Sequence, residues 1–327
     1  MKPAHGLVGD VGGTNARFAL AHVEAGGVRV EDPVGFKAAD YPTGDAALRA
    51  YLDQLPAGLE RPRFAVVAAA GPITDGAVTF TNNTAWTFSE AGLARAGGFD
   101  GVRLINDFTA QALAIEHLRA ADLHRIGPAG APPKRGTTAI LGPGTGFGVA
   151  ARIDDGAHRA TLTSEGGHMG LSADDALEIE VIRRLAALHG RVSVERVLSG
   201  PGLLQLYHVL AAIRGEAAPI ATPDRVTEAA LAGEPLAALA LERFCGFLGA
   251  VAGNFALAYG ARKGVYISGG IAPDILDFLA ASDFRARFES KGRMSDYVKA
   301  IPTLVVIQPH AALVGAASLL PALEAKA

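Results

Sequence analysis

Leu7-Val8-Gly9-Asp10-Val11-Gly12-Gly13-Thr14-Asn15-Ala16-Arg17 is the stretch on which the reading of this chain turns. A short apolar run enters it, a glycine turn follows, and Phe18 to Val23 reads as a returning strand. Glycine lacks Cβ, so Gly9, Gly12 and Gly13 let backbone N–H groups come close to an anion. Successive N–H groups in such a turn form an anion-binding concavity, to which Val11 would add backbone and Thr14 a hydroxyl. Asp10 cannot meet phosphate directly, since like charges repel. It makes sense where a Mg²⁺ ion, carrying water, stands between carboxylate and phosphates. A plain hairpin would satisfy glycine and aspartate by turn geometry alone. Asp10, Thr14 and Arg17 together favour the phosphate reading.

A second stretch has the same plan. Ile140-Leu141-Gly142-Pro143-Gly144-Thr145-Gly146-Phe147-Gly148-Val149-Ala150 again sets a glycine turn between two β runs. Gly142, Gly144, Thr145 and Gly146 would form its phosphate cradle. Phe147 breaks the dinucleotide pattern, and no G-x-x-x-x-G-K-[ST] occurs. Two such turns suggest a duplicated half-domain and a nucleotide held from both sides.

Four further motifs carry chemistry. In Leu104-Ile105-Asn106-Asp107-Phe108, Asp107 stands where a strand ends and a helix begins. It reads as a helix cap, as a carboxylate facing ligand, or as both. An ordinary Asp pKa of ~3.9 makes it a carboxylate at neutral pH. In Ser164-Glu165-Gly166-Gly167-His168, a carboxylate and an imidazole three apart could accept from and donate to vicinal hydroxyls. One Glu and one His are too few for a metal site. Glu195, upstream of Gly200-Pro201-Gly202, taken alone reads as a surface ion-pair residue. Gly269 and Gly270 form a strand-to-helix turn whose backbone could face a base or ribose. His5, His22, His117, His124, His158, His189, His208 and His310 have no evident partner and are expected at the surface or in the core.

The chain of 327 residues suits about two domains. It is 50% hydrophobic and 19% charged, which argues for a packed core and against disorder. Thirty Lys plus Arg against 33 Asp plus Glu leave a net charge of −3, so no basic field exists for nucleic acid. One cysteine, Cys245, excludes an internal disulfide framework and a multi-cysteine zinc site, and fits a reducing cytosol. The start has no apolar segment of signal-peptide length. Residues 244–261 are uncharged and long enough for a membrane span. Gly246, Gly249, Gly253 and Asn254 make them weakly hydrophobic, so a buried helix is expected, with Gly249 and Gly253 admitting another backbone. Phe64 to Ala69 reads as a strand buried on both faces. Val102 to Ile105 is another, before a helical pattern from Phe108 to Leu118. A Pro/Gly-rich connection spans 127–136. Helices are expected near 174–189, 201–213, 225–232 and 235–260, a strand at 265–268, a helix opened by Pro273, a strand at 303–307 and a last helix near 311–324. Strands alternating with helices indicate an α/β class.

Taken together, the motifs resemble the bacterial ATP-dependent glucokinases of the hexokinase–actin–heat-shock ATPase superfamily, nearly end to end. GDVGGTNAR resembles the family's first phosphate motif, GPGTGFGVA its second and ISGGIAP its adenosine motif. Pro143 stands where Ala is frequent and removes one N–H, and Val194 stands where the family has Ala. The branch with a structural zinc needs clustered cysteines that this chain lacks. The resemblance implies an α/β, two-domain actin-like ATPase (ribonuclease H-like) fold with a central cleft. Residues 1–117 plus 308–327 would be the small domain and 118–307 the large one. It also implies transfer of the γ-phosphoryl of ATP to the 6-hydroxyl of glucose, at the entry to glycolysis, in a cytoplasmic homodimer with Mg²⁺. Asp107 would be the catalytic base, with Asn106, Asp107, Glu165, His168 and Glu195 on the sugar and Asp10 near the metal through water. Rival readings are a kinase for fructose, mannose or an N-acetylated hexose, a sugar-sensing repressor, and an actin-like filament or chaperone ATPase. A repressor needs a helix-turn-helix and a basic face, but the first strand begins by Leu7. An actin-like ATPase leaves Asn106-Asp107 and Glu165–His168 unexplained.

Overall fold

The computed structural model describes residues 4–80, 83–127 and 133–326, with side chains at 83–85 left aside. Most of the Pro/Gly-rich connection, residues 128–132, lies outside the described residues. The chain divides into two compact units, residues 1–119 with 308–327 and residues 120–307.

In the first unit, β1 (Ala4–Val11) pairs antiparallel with β2 (Asn15–Glu24), and Asp10 stands opposite Arg17. Two short edge strands, β3 (Gly27–Val30) and β4 (Val34–Lys37), flank β2. β5 (Phe64–Ala69) lies parallel to β1. A hairpin of β6 (Ala77–Phe80) and β7 (Asn83–Ser89) stands apart as its own two-stranded sheet. β8 (Gly101–Asn106) then lies parallel to β5, giving the order β3-β2-β1-β5-β8. Every residue of β5 is buried. The two-residue period explains why: Ala65, Val67 and Ala69 enter one core with Phe18, Leu48 and Trp86, whereas Val66 and Ala68 enter another with Leu313 and Leu320.

The second unit repeats the plan. Its strands are β9 (Leu123–Ile126), β10 (Gly136–Pro143), β11 (Phe147–Asp154), β12 (Arg159–Ser164), β13 (Gly264–Ile267) and β14 (Thr303–Val306). Their order is β12-β11-β10-β13-β14-β9. The hairpin β10/β11 occupies the place of β1/β2, and β13 and β14 follow in parallel as β5 and β8 do. Two sheets with one order carry the two glycine turns at matching places, as expected of a duplicated half-domain.

Most of the uncharged segment forms the second half of the helix Pro235–Ala258, whose residues from Phe244 to Gly253 are all buried. Cβ atoms at Gly249 and Gly253 would overlap the carbonyl oxygens of Phe284 and Phe288. These two glycines thus seat the helix Phe284–Glu289 against it. The last helix differs from expectation. It is two pieces, Ala311–Ala317 and Leu320–Glu324, with Pro321 near the start of the second, where its missing N–H costs no hydrogen bond. The helix expected from Phe108 to Leu118 runs from Asp107 to Ala114 and tightens into a 3₁₀ turn over Ile115–His117.

Candidate functional site

Three parallel strands of the first unit end side by side. Val11 pairs with Ala69, and Ala69 with Asn106, so Val11 and Asn106 stand two strand spacings apart, about 10 Å. The carboxyl ends of such strands are where open α/β sheets bind ligands. The turn proper runs from Gly12 to Thr14, closed by Gly12 N–H donating to the Asn15 carbonyl at 2.8 Å. Gly9 and Val11 belong to the strand instead, and both are buried. A Cβ at Gly9 would crowd Phe18 and Val67, so packing alone calls for glycine at this position. Thr14 is exposed.

Asp10 keeps 32% of its side-chain surface open, with Arg17 at 3.8 Å. Burial pushes its carboxyl above the ordinary value, while the charges of Arg17 and His310 pull the other way. Asp107 and Asn106 divide their labour. Asn106 is the cap of the helix Asp107–Ala114: its Oδ1 accepts the Thr109 N–H at 3.1 Å, and its Nδ2 donates to the Gly71 carbonyl at 3.3 Å. Asp107 is therefore not the cap. It is the first helical residue, half-buried, with Oδ1 accepting the Phe108 N–H at 2.9 Å.

In the second unit, four motifs interlock around β10. A Cβ at Gly142 would overlap the Ser268 carbonyl, and one at Gly269, where φ is +92°, would overlap that of Pro143. These glycines press the turn at 142–148 against the turn at 268–270. A Cβ at Gly167 would overlap the Phe147 carbonyl, which seats the Glu165–His168 loop on the same turn. Gly200 N–H donates to the Gly144 carbonyl at 2.9 Å. Gly144, Thr145 and Gly146 form the accessible tip, and Gly270 is exposed. The side chains of Glu165 and His168 are exposed around the 3₁₀ turn Gly166–His168. Glu195 is no surface ion-pair residue: its Oε2 accepts the Phe147 N–H at 2.9 Å.

A family model described as Glucokinase matches residues 7–322. The chain belongs to the glucokinase family. A glucokinase of Caulobacter sp. strain K31 is 51% identical over 312 residues, 95% of this chain and 94% of that protein. The crystal structure of a glucokinase from an Antarctic psychrotroph is 38% identical, with TM-score 0.85 over 98% of this chain and 99% of that one. A ROK family glucokinase from Streptomyces griseus, solved with glucose and AMPPNP, is 18% identical with TM-score 0.65 over 97% and 99% of the two chains; at that distance it bears on fold alone. The fold is that of the actin-like ATPases, and the chain is an ATP-dependent hexose kinase.

Two site features had no sequence signal. His310 opens the helix Ala311–Ala317 and acts electrostatically on Asp10, although 300 positions separate them. The Glu195–Phe147 bond spans 48 positions and depends on how two loops pack.

Proposed function

We propose that the protein transfers the γ-phosphoryl group of ATP to the 6-hydroxyl of glucose, with Asp107 as the base. The observation that carries this reading is the division at residues 106 and 107. Asn106 takes the cap, so Asp107 sets its carboxylate in the first turn of the helix, at the carboxyl end of β8 and two strands from the one that carries Asp10. Asp107 accepts a hydrogen bond from the 6-hydroxyl. As the sugar oxygen bonds to phosphorus and the bond to ADP breaks, the hydroxyl proton passes to Asp107. In a loose transition state that proton leaves late, so an ordinary carboxylate suffices and orientation matters as much as basicity. Asn106, Glu165, His168 and Glu195 hold the other hydroxyls. The turns at 9–14 and 142–148 hold phosphates through backbone N–H groups, and Gly269 and Gly270 face the nucleoside.

Asp10 suits a magnesium ion. Among the described residues no group of three metal-ligating side chains occurs. A single crowded carboxylate matches an ion that keeps several waters and takes its other ligands from phosphates. When bound, that ion would offset phosphate charge. A homodimer and a cytoplasmic role at the entry to glycolysis complete the proposal. Sedimentation velocity tests the dimer.

The deciding assay couples ADP release to a readout with glucose, fructose, mannose and N-acetylglucosamine in parallel. Glucose is expected to give the highest kcat/KM, and another hexose in that place would replace it in the proposal. Glu165→Gln should raise KM for glucose well above any change in KM for ATP, and equal changes would count against sugar contact there.

Asp10 yields a prediction of opposite signs. The raised folded value means that the cost of ionised Asp10 is absent below the unfolded value of 3.8. It grows as pH climbs from there and is complete only above the folded value. Asp10→Asn removes that cost, so the ligand-free melting temperature at pH 7 should not fall. The rise in melting temperature on adding MgADP should disappear. A full MgADP shift in this variant would take Asp10 away from the metal.

A further inference from the structure

Glu195 touches the nucleotide turn with the same carboxylate proposed for the sugar. It lies in the first turn of the helix Val194–Val197 behind Ser193. Its Oε2 accepts the Phe147 N–H at 2.9 Å. Gly146 leaves room for it, since a Cβ there would stand 2.5 Å from that oxygen. Ser199 Oγ donates to the Glu195 carbonyl at 2.9 Å, and Gly200 N–H to the Gly144 carbonyl at 2.9 Å. These two bonds brace the segment 195–200 along the turn. A negative charge is thus seated on a backbone donor of the very loop that phosphates would use.

The consequence is electrostatic. A phosphate entering the turn meets a like charge in a half-buried setting, one residue from the accessible tip Gly144–Gly146. A sugar whose hydroxyls donate to the same carboxylate spreads that charge and draws it from the turn. We propose that Glu195 is a positioning residue that couples the two substrates: sugar on its carboxylate raises the affinity of the 142–148 turn for nucleotide phosphates. By linkage, nucleotide raises the affinity for sugar by the same factor. The inference rests on the sugar role given to Glu195 under the proposed function.

Titration calorimetry with MgADP, with and without glucose, tests it. Glucose is expected to tighten MgADP by at least about fivefold in the parent protein. Glu195→Gln keeps an acceptor for the Phe147 N–H and removes the charge. Without sugar it should bind MgADP at least about threefold tighter than the parent, and glucose should then change that affinity by under about twofold. A merely structural role would weaken both ligands instead. Gly146→Ala places a methyl where Oε2 sits and dislodges the carboxylate. It should weaken glucose at least about threefold, although residue 146 belongs to the nucleotide turn. A Gln variant no tighter for MgADP, or an Ala variant with unchanged glucose affinity, in a protein whose parent binds both ligands, overturns the coupling and leaves the kinase reading standing. A parent that binds MgADP but no hexose overturns the kinase reading and this inference with it.

Discussion

Asp107→Asn is expected to fold, to bind glucose, and to lose kcat by about 10²–10⁴-fold, the usual contribution of a positioned general base. That range corresponds to roughly 3–5 kcal/mol of barrier. The fold should survive because the helix Asp107–Ala114 does not depend on this carboxylate for its cap. Asn106 supplies the cap, accepting the Thr109 N–H. The amide oxygen introduced at 107 can still accept the Phe108 N–H that Oδ1 accepts at 2.9 Å. What goes is one charge in the first helical turn, worth about 0.3–1 kcal/mol. The helix is also held from behind, since a Cβ at Gly315 would overlap the Ala110 carbonyl, so the helix Ala311–Ala317 packs against it backbone to backbone. Steady-state kinetics and a thermal melt, read together, check the expectation. A stable variant with most of its turnover would remove Asp107 from the base role. A variant that fails to melt cooperatively would show that residue 107 serves the fold.

Much of this architecture could be read from the chain because it is written locally. Phe64–Ala69 is apolar at every position since both faces of its sheet are covered, and the helix Pro235–Ala258 is uncharged over most of its length since it lies in the core. The two glycine turns were visible as turns, and the paired strand orders bear out the likeness between them. Their glycines were less transparent. The sequence reading attributes them to anion binding, but Gly9 and Gly142 answer to packing as well: each faces a neighbour that a Cβ would crowd or overlap. Nothing in a single sequence separates a glycine that admits phosphate from one that admits a carbonyl oxygen. Edge strands were hard for another reason. Gly27–Val30 and Val34–Lys37 have four residues each, too few for a period to show. The helix Gly44–Asp53 is absent from the sequence reading, although its buried residues Ala47, Leu48, Tyr51 and Leu52 behind the cap Thr43 form a helical stripe. Pairings across long separations, such as Glu195 with Phe147 or His310 with Asp10, arise only when the elements pack.

Glu178→Ala should lower the melting temperature of the protein by about 6–12 °C, from a loss of about 3 kcal/mol in a unit of this size. Glu178 has no exposed surface, and the Arg287 guanidinium binds both its oxygens, at 2.6 and 3.0 Å. Its Oε2 also accepts the Asp174 N–H at 2.8 Å, so one carboxylate ties the start of the helix Ala176–His189 to the helix Phe284–Glu289. Removing it leaves Arg287, whose side chain is 17% exposed, with Asp174 at 3.1 Å as its remaining anion. Breaking a buried pair in this way costs about 3–5 kcal/mol, and the surviving partner puts the value at the low end. The source of the loss can be separated from the pair's own worth. If it comes from the charge left behind, then Glu178→Leu combined with Arg287→Met should recover most of it, because a buried pair is worth little more than well-packed apolar residues of like size. Differential scanning calorimetry of the parent, Glu178→Ala and the double variant gives both numbers. A single variant melting within about 2 °C of the parent would mean that Asp174 alone satisfies Arg287. A double variant as unstable as the single one would place the loss in packing between the two helices, where the missing side-chain volume, and not an unbalanced charge, sets the stability of the unit that carries Glu165, His168 and Glu195.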